Sequence, residues 1–461
     1  MTLKRNNTGI SRSSTACWIA LACLVVPMFA SYFFDDMFST LSHIFQNPAM
    51  LELGWDSGDY GFYAGGYSFL CVCGGLVICG VLLDVFGVRV VGSIFVGLMI
   101  LGALTVFAAL VSGFAPETSL TIAYIGCMVF GLGSEIAGVA VTRSIAKWFK
   151  GRNVALAMGL QLSIARLGTA AAFLLAPVLV AQKPEGEMYS LMETARPAMT
   201  GLGLLLAGGI LWGIFVAMDA AFDKDAGILT AKGEVKEEDK FRFRDILKVL
   251  TNPRFLMIAF LCVFFYCCII SFKKFGTSIV IPRFGMDVDS AKWMITMIPF
   301  FTVVFTPLFG ALVDKVGKAT QWMFTGAVLV LAAHLVMAFA PQGVAFYGYL
   351  AISLLGVGYS LVPSAMWPTV PKIIPDRNLG TAYSLVYWIQ NMGMLLVPIF
   401  VGMIFRNTVT EAGNRSQEIA AAVNAEYIFI GLGIAAVAVA ISLIMSSRRH
   451  PELGMDMPNK K

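Results

Sequence analysis

The chain has 461 residues, of which 58% are hydrophobic and only 13% are charged, and its mean hydropathy is +0.79. A soluble protein of this composition could not cover its surface with polar groups, because charged residues make up about a quarter of an average globular chain. The composition therefore excludes a soluble globular protein and predicts a helical protein that crosses the membrane many times. The net charge of +5 is explained by charged loops and does not indicate a nucleic-acid partner.

Apolar runs of about 20 residues, the length at which a helix crosses a hydrocarbon layer of about 30 Å, recur along the whole sequence. We predict an all-α integral membrane protein with twelve transmembrane helices, named spans 1 to 12 in chain order. The predicted spans are 17–42, 58–83, 89–113, 119–146, 154–181, 198–219, 253–281, 290–313, 320–340, 344–370, 378–405 and 423–446.

One long polar stretch, DKDAGILTAKGEVKEEDKFRFRD, lies between spans 6 and 7 and has no apolar periodicity. It predicts an N-terminal six-helix bundle at 1–219, a cytoplasmic linker at 220–252 and a C-terminal six-helix bundle at 253–461. With the N-terminus inside, 23 Lys and Arg residues fall on the cytoplasmic side and 6 on the outer side. This asymmetry predicts that both termini are cytoplasmic.

The two halves carry corresponding sequence motifs. GVLLDVFGVR (80–89) follows span 2, GALVDKVGKA (310–319) follows span 8, and 130–168 overlays 355–393 at a constant offset of 225. Such a parallel repeat, with two pseudo-symmetric six-helix bundles, is typical of the major facilitator superfamily, which the chain resembles over its whole length. The resemblance implies that the aspartate of this cytoplasmic loop stabilises the closed inner face. The loop residues are Gly80, Asp84, Gly87 and Arg89 in the first copy and Gly310, Asp314, Gly317 and Lys318 in the second.

Two charges lie in the middle of apolar spans. Glu135 and Arg166 are each about 15 residues from the predicted turn at Lys150 and Gly151. That separation is about 23 Å along a helix, which places both near the middle of the bilayer. Charges at that depth are costly, so they face the bundle interior and usually mark a pathway or a site.

These two charges have two compatible interpretations. One is a salt bridge that locks span 4 to span 5. The other is a ligand-binding pair, in which Glu135 receives an amino group and Arg166 receives a carboxylate in a bidentate hydrogen bond. The pair can serve both roles if it closes on itself when the site is empty.

The second half offers polar side chains at the matching level but no second charge. Asn391 corresponds to Arg166 in the overlay, and Gln390 beside it adds amide groups that suit a peptide bond. Trp388 lies one helical turn from Asn391 and shares its face, and Tyr359 lies at the matching level of span 10. We predict that these four side chains of the second half bind substrate, with packing as the alternative role of the aromatic ones.

Charged pairs also occur near the outer ends of spans 1 and 7. Asp35 and Asp36 lie in SYFFDD, and Lys273 and Lys274 lie in ISFKKFG. Spans 1 and 7 are equivalent in the repeat, and the superfamily resemblance implies that they face each other across the outer mouth. We predict that the four residues pair as an outer gate; the alternative is that all four are simply hydrated at the interface.

The sequence carries no sign of a metal or catalytic site. The nine cysteines all lie in apolar segments, and no cluster of metal ligands, nucleophile–base pair or phosphate-binding glycine loop is present. We therefore predict no metal, no cofactor and no enzymatic activity. His334, in span 9, is predicted to be a neutral packed side chain.

Several long segments resemble one branch of the superfamily, which contains the lysosomal dipeptide uniporter and its prokaryotic relatives. They are KWFKGRN and GLQLSIARLG within 131–168, the stretch 364–393, FGALVDKVGK (309–318) and SYFFDD in span 1. The resemblance implies alternating-access uniport of dipeptides or short peptides, with Glu135 and Arg166 recognising the amino and carboxyl ends. Cys127 stands where this branch usually has an arginine, which removes a charge often tied to proton coupling.

The short N-terminal tail shows no dileucine sorting signal, and the outer loops have no large platform for an accessory protein. We therefore expect a monomer in a bacterial cytoplasmic membrane, with no obligate accessory subunit. The alternative function is a proton-coupled carrier of organic anions or sugar acids. In that carrier Arg166 would bind the carboxylate and Glu135 would exchange protons.

Overall fold

A computed structural model of the chain describes residues 14–149, 154–184, 187–225, 243–375 and 379–458. Nearly all of these residues are helical, and the described ranges contain no β-strand, only an isolated bridge between Leu51 and Tyr189. The predicted all-α membrane fold is confirmed.

The spans follow one another in the predicted order. Their helices run over Ser14–Asp36 (span 1), Ser57–Leu70 with its continuation to 86 (span 2), Phe86–Val111 (span 3), Pro116–Trp148 (span 4), Val154–Leu179 (span 5), Leu191–Asp225 (span 6), Pro253–Phe284 (span 7), Val288–Val316 (span 8), Ala319–Phe339 (span 9), Ala345–Ile373 (span 10), Leu379–Thr408 (span 11) and Arg415–Arg449 (span 12).

Span 2 is not one regular helix. A π-helical turn at Cys71–Gly75 interrupts it, with Gly74 at φ 97°, and Gly87 at φ 77° separates it from span 3. Only glycine adopts such positive φ values without strain. Because of this break, span 2 does not count as one long apolar helix. The other eleven spans are each described as a helix long and apolar enough to cross a membrane. The sequence predicted this span but not its break.

The predicted ends of three spans are wrong. Span 12 begins at Arg415, eight residues before its predicted start at 423. Span 1 ends at Asp36 instead of 42, because Ser39–Gln46 forms a 3₁₀-helix that turns along the end of the bundle. Span 6 begins at Leu191 and continues to Asp225, past the predicted end at 219. Residues 226–242 of the predicted linker lie outside the described residues, and Phe243–Leu250 is a short helix that precedes span 7.

The two halves meet mainly through spans 2 and 11 and through spans 5 and 8. Spans 2 and 11 approach closely because small residues line their contact. A Cβ atom at Gly61 would lie 2.5 Å from the Pro398 carbonyl oxygen, and one at Gly65 would lie 2.6 Å from the Leu395 carbonyl oxygen. A side chain at either glycine would therefore push the halves apart.

Both described chain ends lie at the same face of the bundle, which we call the terminal face. Cys17 contacts the carbonyl oxygen of Trp148 at the end of span 4. The C-terminal segment folds back so that Asp456 accepts hydrogen bonds from the backbone and hydroxyl of Thr320 at 2.8 and 3.0 Å. The opposite face, which carries the ends of spans 1 and 7, is called the gate face.

The two loop motifs lie at the terminal face. Gly87 and Gly317 have φ values of 77° and 70°, and Lys318 is left-handed at φ 57°, so both loops turn sharply at the glycine of the motif. Arg89 lies 3.8 Å from Asp219. Gly80, Gly310 and Asp314 lie in helices, and the side chain of Asp84 lies outside what the structure describes.

The C-terminal half contains a buried acid–histidine pair. His334 of span 9 and Glu426 of span 12 approach to 2.7 Å, with 0% and 1% of their side chains exposed. Phe429 stacks on the imidazole and Phe272 meets it edge-on. Packing of His334 was predicted, but its acidic partner was not.

Replacing one member of this pair should destabilise the protein more than replacing both members with apolar side chains. Glu426→Ala leaves a buried imidazole without its partner, which costs about 3–5 kcal/mol when the pair is ionic. The double variant His334→Phe/Glu426→Leu should recover most of that loss. Thermal unfolding in detergent measures both, with Glu187→Ala in an exposed loop as the control. A single variant as stable as the control would show that the contact contributes little.

Candidate functional site

Glu135 lies on span 4 among hydroxyl groups from two neighbouring spans. Tyr67 of span 2 donates its one hydroxyl proton to Glu135 Oε1 at 3.2 Å, and the same hydroxyl lies 3.1 Å from Ser134 Oγ. Ser134 in turn contacts Ser31 of span 1 at 2.5 Å. Three spans of the first half therefore position one carboxylate. Glu135 remains half-buried, and among the described residues its second oxygen has no hydrogen-bond partner.

Arg166 lies on span 5 between aromatic side chains of both halves. Its Nη1 donates to the hydroxyl of Tyr359 at 2.6 Å. The guanidinium carbon lies 4.8 Å from the ring centre of Tyr359 and 5.8 Å from that of Tyr32, so cation–π attraction adds to the hydrogen bond. A guanidinium has five N–H donors, and within the described ranges this is its one hydrogen bond.

Glu135 and Arg166 do not form an ion pair with each other in the described structure. Each instead has a tyrosine hydroxyl as its partner, Tyr67 for the carboxylate and Tyr359 for the guanidinium. Both charged side chains are half-buried, and each keeps hydrogen-bonding groups without a partner among the described residues. The salt bridge that was one interpretation of the sequence is absent in this conformation.

The predicted residues of span 11 occupy different positions around the site. The Trp388 indole donates to the Val72 carbonyl oxygen at 2.7 Å, in the irregular turn of span 2, and so joins the two halves. Gln390 faces span 7 and accepts a contact from the Cys262 thiol at 3.3 Å. Asn391 is buried and donates to the Tyr387 carbonyl oxygen of its own helix, and its side-chain oxygen has no partner.

The four charges predicted at the outer mouth lie together at the gate face. Lys273 Nζ is 3.0 Å from Asp36 Oδ2, and Lys274 Nζ is 2.9 Å from Asp35 Oδ1 and 3.3 Å from Asp36 Oδ1. Asp36 also accepts a hydrogen bond from Thr169 of span 5 at 2.8 Å. These contacts join span 1 to span 7 and therefore close the gate face in this conformation.

Further contacts around these charges close the same face. In the 3₁₀-helix after span 1, Ser42 lies 3.0 Å from the Thr277 hydroxyl and 2.9 Å from the Ser278 hydroxyl of span 7. The Tyr60 hydroxyl of span 2 donates to the Lys274 carbonyl oxygen at 2.9 Å. Arg406 of span 11 pairs with two acids at the start of span 2, Asp56 and Asp59.

Sequence reasoning missed the polar residues that support the predicted ones. Tyr67, Tyr32 and Thr169 are ordinary residues in apolar spans, and their partners are far away in sequence. A usable signal existed for the tyrosines, because a phenol hydroxyl in the middle of a span needs a hydrogen-bond partner. No such signal identified Arg406, whose partners Asp56 and Asp59 are brought to it only by the packing of spans 2 and 11.

Comparison with known proteins agrees with this architecture. The model of the Major Facilitator Superfamily matches residues 28–282 and 263–456. The lysosomal dipeptide transporter MFSD1 of Danio rerio is 31% identical over 381 residues, which cover 82% of this chain and 78% of that protein. MFSD1 of Homo sapiens is 31% identical over 351 residues, which cover 75% of this chain and 70% of that protein.

Solved structures share the fold at low sequence identity. The inward-open xylose transporter XylE from E. coli has a TM-score of 0.66 and 13% identity, covering 93% of this chain and 95% of that chain. The peptide transporter POT has a TM-score of 0.61 and 15% identity, covering 94% and 95%. These relatives and neighbours are transporters and not enzymes. Together with the family match along most of the sequence, they show that the chain belongs to the major facilitator superfamily and is a multi-pass membrane transporter.

Proposed function

We propose that the protein carries small zwitterionic solutes, and most specifically dipeptides, across the membrane by alternating access. The observation that carries this proposal is the separation of Glu135 from Arg166, each with one tyrosine hydroxyl as its partner and with further hydrogen-bonding groups left free within the described part of the chain. The relatives named as lysosomal dipeptide transporters support the same substrate class. A zwitterion supplies both missing partners at once, which a singly charged solute cannot do.

The amino end of the peptide binds Glu135 in this proposal. Tyr67 already donates to one carboxylate oxygen, so an ammonium group would take the other. Charge-assisted hydrogen bonds of this kind are about twice as strong as neutral ones. The ammonium also compensates a carboxylate that is otherwise expensive at this depth.

The carboxyl end binds Arg166. The Tyr359 hydroxyl takes one N–H group of the guanidinium, and the planar fork leaves further donors for a carboxylate. Tyr32 and Tyr359 hold the guanidinium by its face, so its edge remains available. Asn391, Gln390, Trp388 and Tyr359 of the second half serve the peptide bond and the side chains of the substrate.

Alternating access requires that one face closes while the other opens. The gate face is closed in this conformation, and we assign its closure to Asp35, Asp36, Lys273 and Lys274. The route to Glu135 and Arg166 then leads to the terminal face. The residues Gly80, Asp84, Gly87, Arg89, Gly310, Asp314, Gly317 and Lys318 of the two loops take the corresponding role when the terminal face closes.

The remaining parts of the proposal concern the cellular setting. We assign the protein to a bacterial cytoplasmic membrane with both termini in the cytoplasm, as the Lys and Arg asymmetry favours. The two transporting units are 1–219 and 253–461, joined by the linker 220–252. The protein acts as a monomer and needs no accessory subunit and no cofactor.

Both ends of the substrate should be necessary for binding. Glu135→Gln and Arg166→Lys should each weaken dipeptide binding at least tenfold. The first removes a charge-assisted contact of about 1.5–3 kcal/mol, and the second keeps the charge but loses the planar fork that binds a carboxylate in two places. Thermal stabilisation by dipeptide in detergent measures the loss. Glu117→Gln, at the exposed start of span 4, and Arg196→Lys are the matched controls. Dipeptide stabilisation that survives in both site variants would contradict the proposal.

Counterflow of the same dipeptide in liposomes separates uniport from the alternative function. A uniporter exchanges the peptide across the membrane, and an imposed pH gradient does not make the peptide accumulate on one side. A proton-coupled carrier of organic anions or sugar acids would accumulate its anion with the pH gradient and would bind without an ammonium group. N-acetylated peptides, which lack the ammonium, should therefore fail to exchange.

The gate charges should tolerate exchange of sign between partners. Asp36→Lys or Lys273→Asp alone brings like charges together in a buried site and should reduce dipeptide counterflow more than tenfold. The double reversal should restore much of it. Reversing the pair Asp289 and Lys292 on the same face, in which the aspartate is 80% exposed, is the control and should have little effect. A double variant that folds but stays as inactive as the singles would contradict the gate assignment.

A further inference from the structure

The four gate charges are not equivalent in their access to the interior. Asp35 exposes 27% of its side chain, whereas Asp36 exposes 1%. Two small cavities lie beside the gate, and both are lined by Asp35 and Lys274 but by neither Asp36 nor Lys273. One charge pair therefore faces the interior, and the other is sealed from it.

The sealed pair is fully satisfied. Asp36 Oδ2 accepts from Lys273 at 3.0 Å and from Thr169 at 2.8 Å. Its Oδ1 lies 3.3 Å from Lys274 and 3.4 Å from the Ser39 hydroxyl. Four donors thus surround one carboxylate, so Asp36 has no capacity for a ligand.

The interior-facing pair has spare capacity on its acidic member. Lys274 Nζ bonds to Asp35 Oδ1 at 2.9 Å and to the Asp35 carbonyl oxygen at 2.5 Å, with Asp36 Oδ1 as its third partner. Its three protons are therefore occupied. Asp35 Oδ2 has no hydrogen-bond partner among the described residues. The group that the gate presents to the cavities is consequently a carboxylate oxygen.

One of the two cavities lies between this carboxylate and side chains that contact the proposed binding site. It is lined by Tyr67, the partner of Glu135, and by Met394, which contacts Gln390. The other is bounded by aromatic rings, including Phe34 and Phe130. Each cavity holds about one water molecule, and an ammonium group is of similar size.

Asp35 also lies at a suitable distance from Glu135. Ser31 of span 1 is level with Glu135, because its hydroxyl contacts that of the neighbouring Ser134 at 2.5 Å. Asp35 is four residues further along the same helix, which is about 6 Å towards the gate face. The two carboxylates are therefore about one helical turn apart along the route.

We propose that Asp35 is a second binding station for the ammonium group of the transported zwitterion, taken between Glu135 and the gate face. This inference rests on the proposed function and deepens it. When the ammonium binds the free Oδ2 of Asp35, it shares the carboxylate charge with Lys274 and so weakens the contact of Lys274 with Oδ1, while Lys274 keeps its contact with Asp36. Substrate at the second station thus loosens one of the ionic contacts that hold spans 1 and 7 together.

The second binding station predicts that Asp35→Asn and Lys274→Met change the rate of counterflow in opposite directions. In proteoliposomes, Asp35→Asn should slow counterflow of labelled alanyl-alanine about tenfold, because one charge-assisted contact on the route is lost. The counterflow rate of this variant should fall by a larger factor than its affinity for the same peptide, which thermal stabilisation measures. Lys274→Met removes the competitor for Asp35 and should speed counterflow. Asp35→Ser provides a second neutral replacement if Asp35→Asn does not fold.

A purely structural gate gives a different pattern, because losing either partner then breaks the same contact. Faster counterflow in both variants, or slower counterflow in both, would overturn the station and leave the rest of the proposed function intact. Absence of alanyl-alanine binding and counterflow in the unmodified protein would instead refute the proposed function. The two failures are therefore distinguishable in one set of measurements.

Discussion

The cost of holding charges inside a membrane protein shapes the rest of this structure. Glu135 and Arg166 lie in the interior without an ionic partner, and a charged group in such surroundings is costly unless it is hydrogen-bonded or hydrated. The protein compensates each with one tyrosine hydroxyl, from Tyr67 and from Tyr359. That compensation is partial, because each charged group keeps hydrogen-bonding atoms without a partner among the described residues. A zwitterion completes both, which is why the proposed function follows from the electrostatics of these two side chains.

Other buried charged groups in the same chain have ionic partners within the protein, and this contrast supports a binding role for Glu135 and Arg166. Asp36 is surrounded by four donors, and the Glu426 carboxylate is paired with His334 between aromatic rings. These groups have protein partners on distant spans, although Glu426 Oε1 is buried without a hydrogen-bond partner among the described residues. Asp35 lies between the two classes, with one oxygen bonded to Lys274 and the other facing a cavity. The proposed binding charges Glu135 and Arg166 differ from these groups in having no ionic partner in the described structure.

Much of this architecture could be predicted from the sequence, because apolar length, charge asymmetry and the repeat are local or periodic signals. The depths of Glu135 and Arg166 follow from residue counting along helices, whereas the proximity of Asp35 and Asp36 to Lys273 and Lys274 was expected from the superfamily resemblance. The sequence could not predict which side chains form hydrogen bonds or ion pairs with the buried charged groups. Tyr67, Thr169 and Glu426 act through contacts between distant spans, and side-chain rotamers decide them. The break at Gly74 was also missed, because a glycine inside an apolar run is common in membrane helices and does not by itself indicate positive φ.

A structure of the protein with alanyl-alanine bound, determined by electron cryomicroscopy, tests the central claim most directly. The account predicts the ammonium group within hydrogen-bond distance of the Glu135 carboxylate and the peptide carboxylate against the Arg166 guanidinium. Tyr67 and Tyr359 should keep their present contacts. A peptide bound away from both charges, with Glu135 and Arg166 bonded to each other, would contradict it.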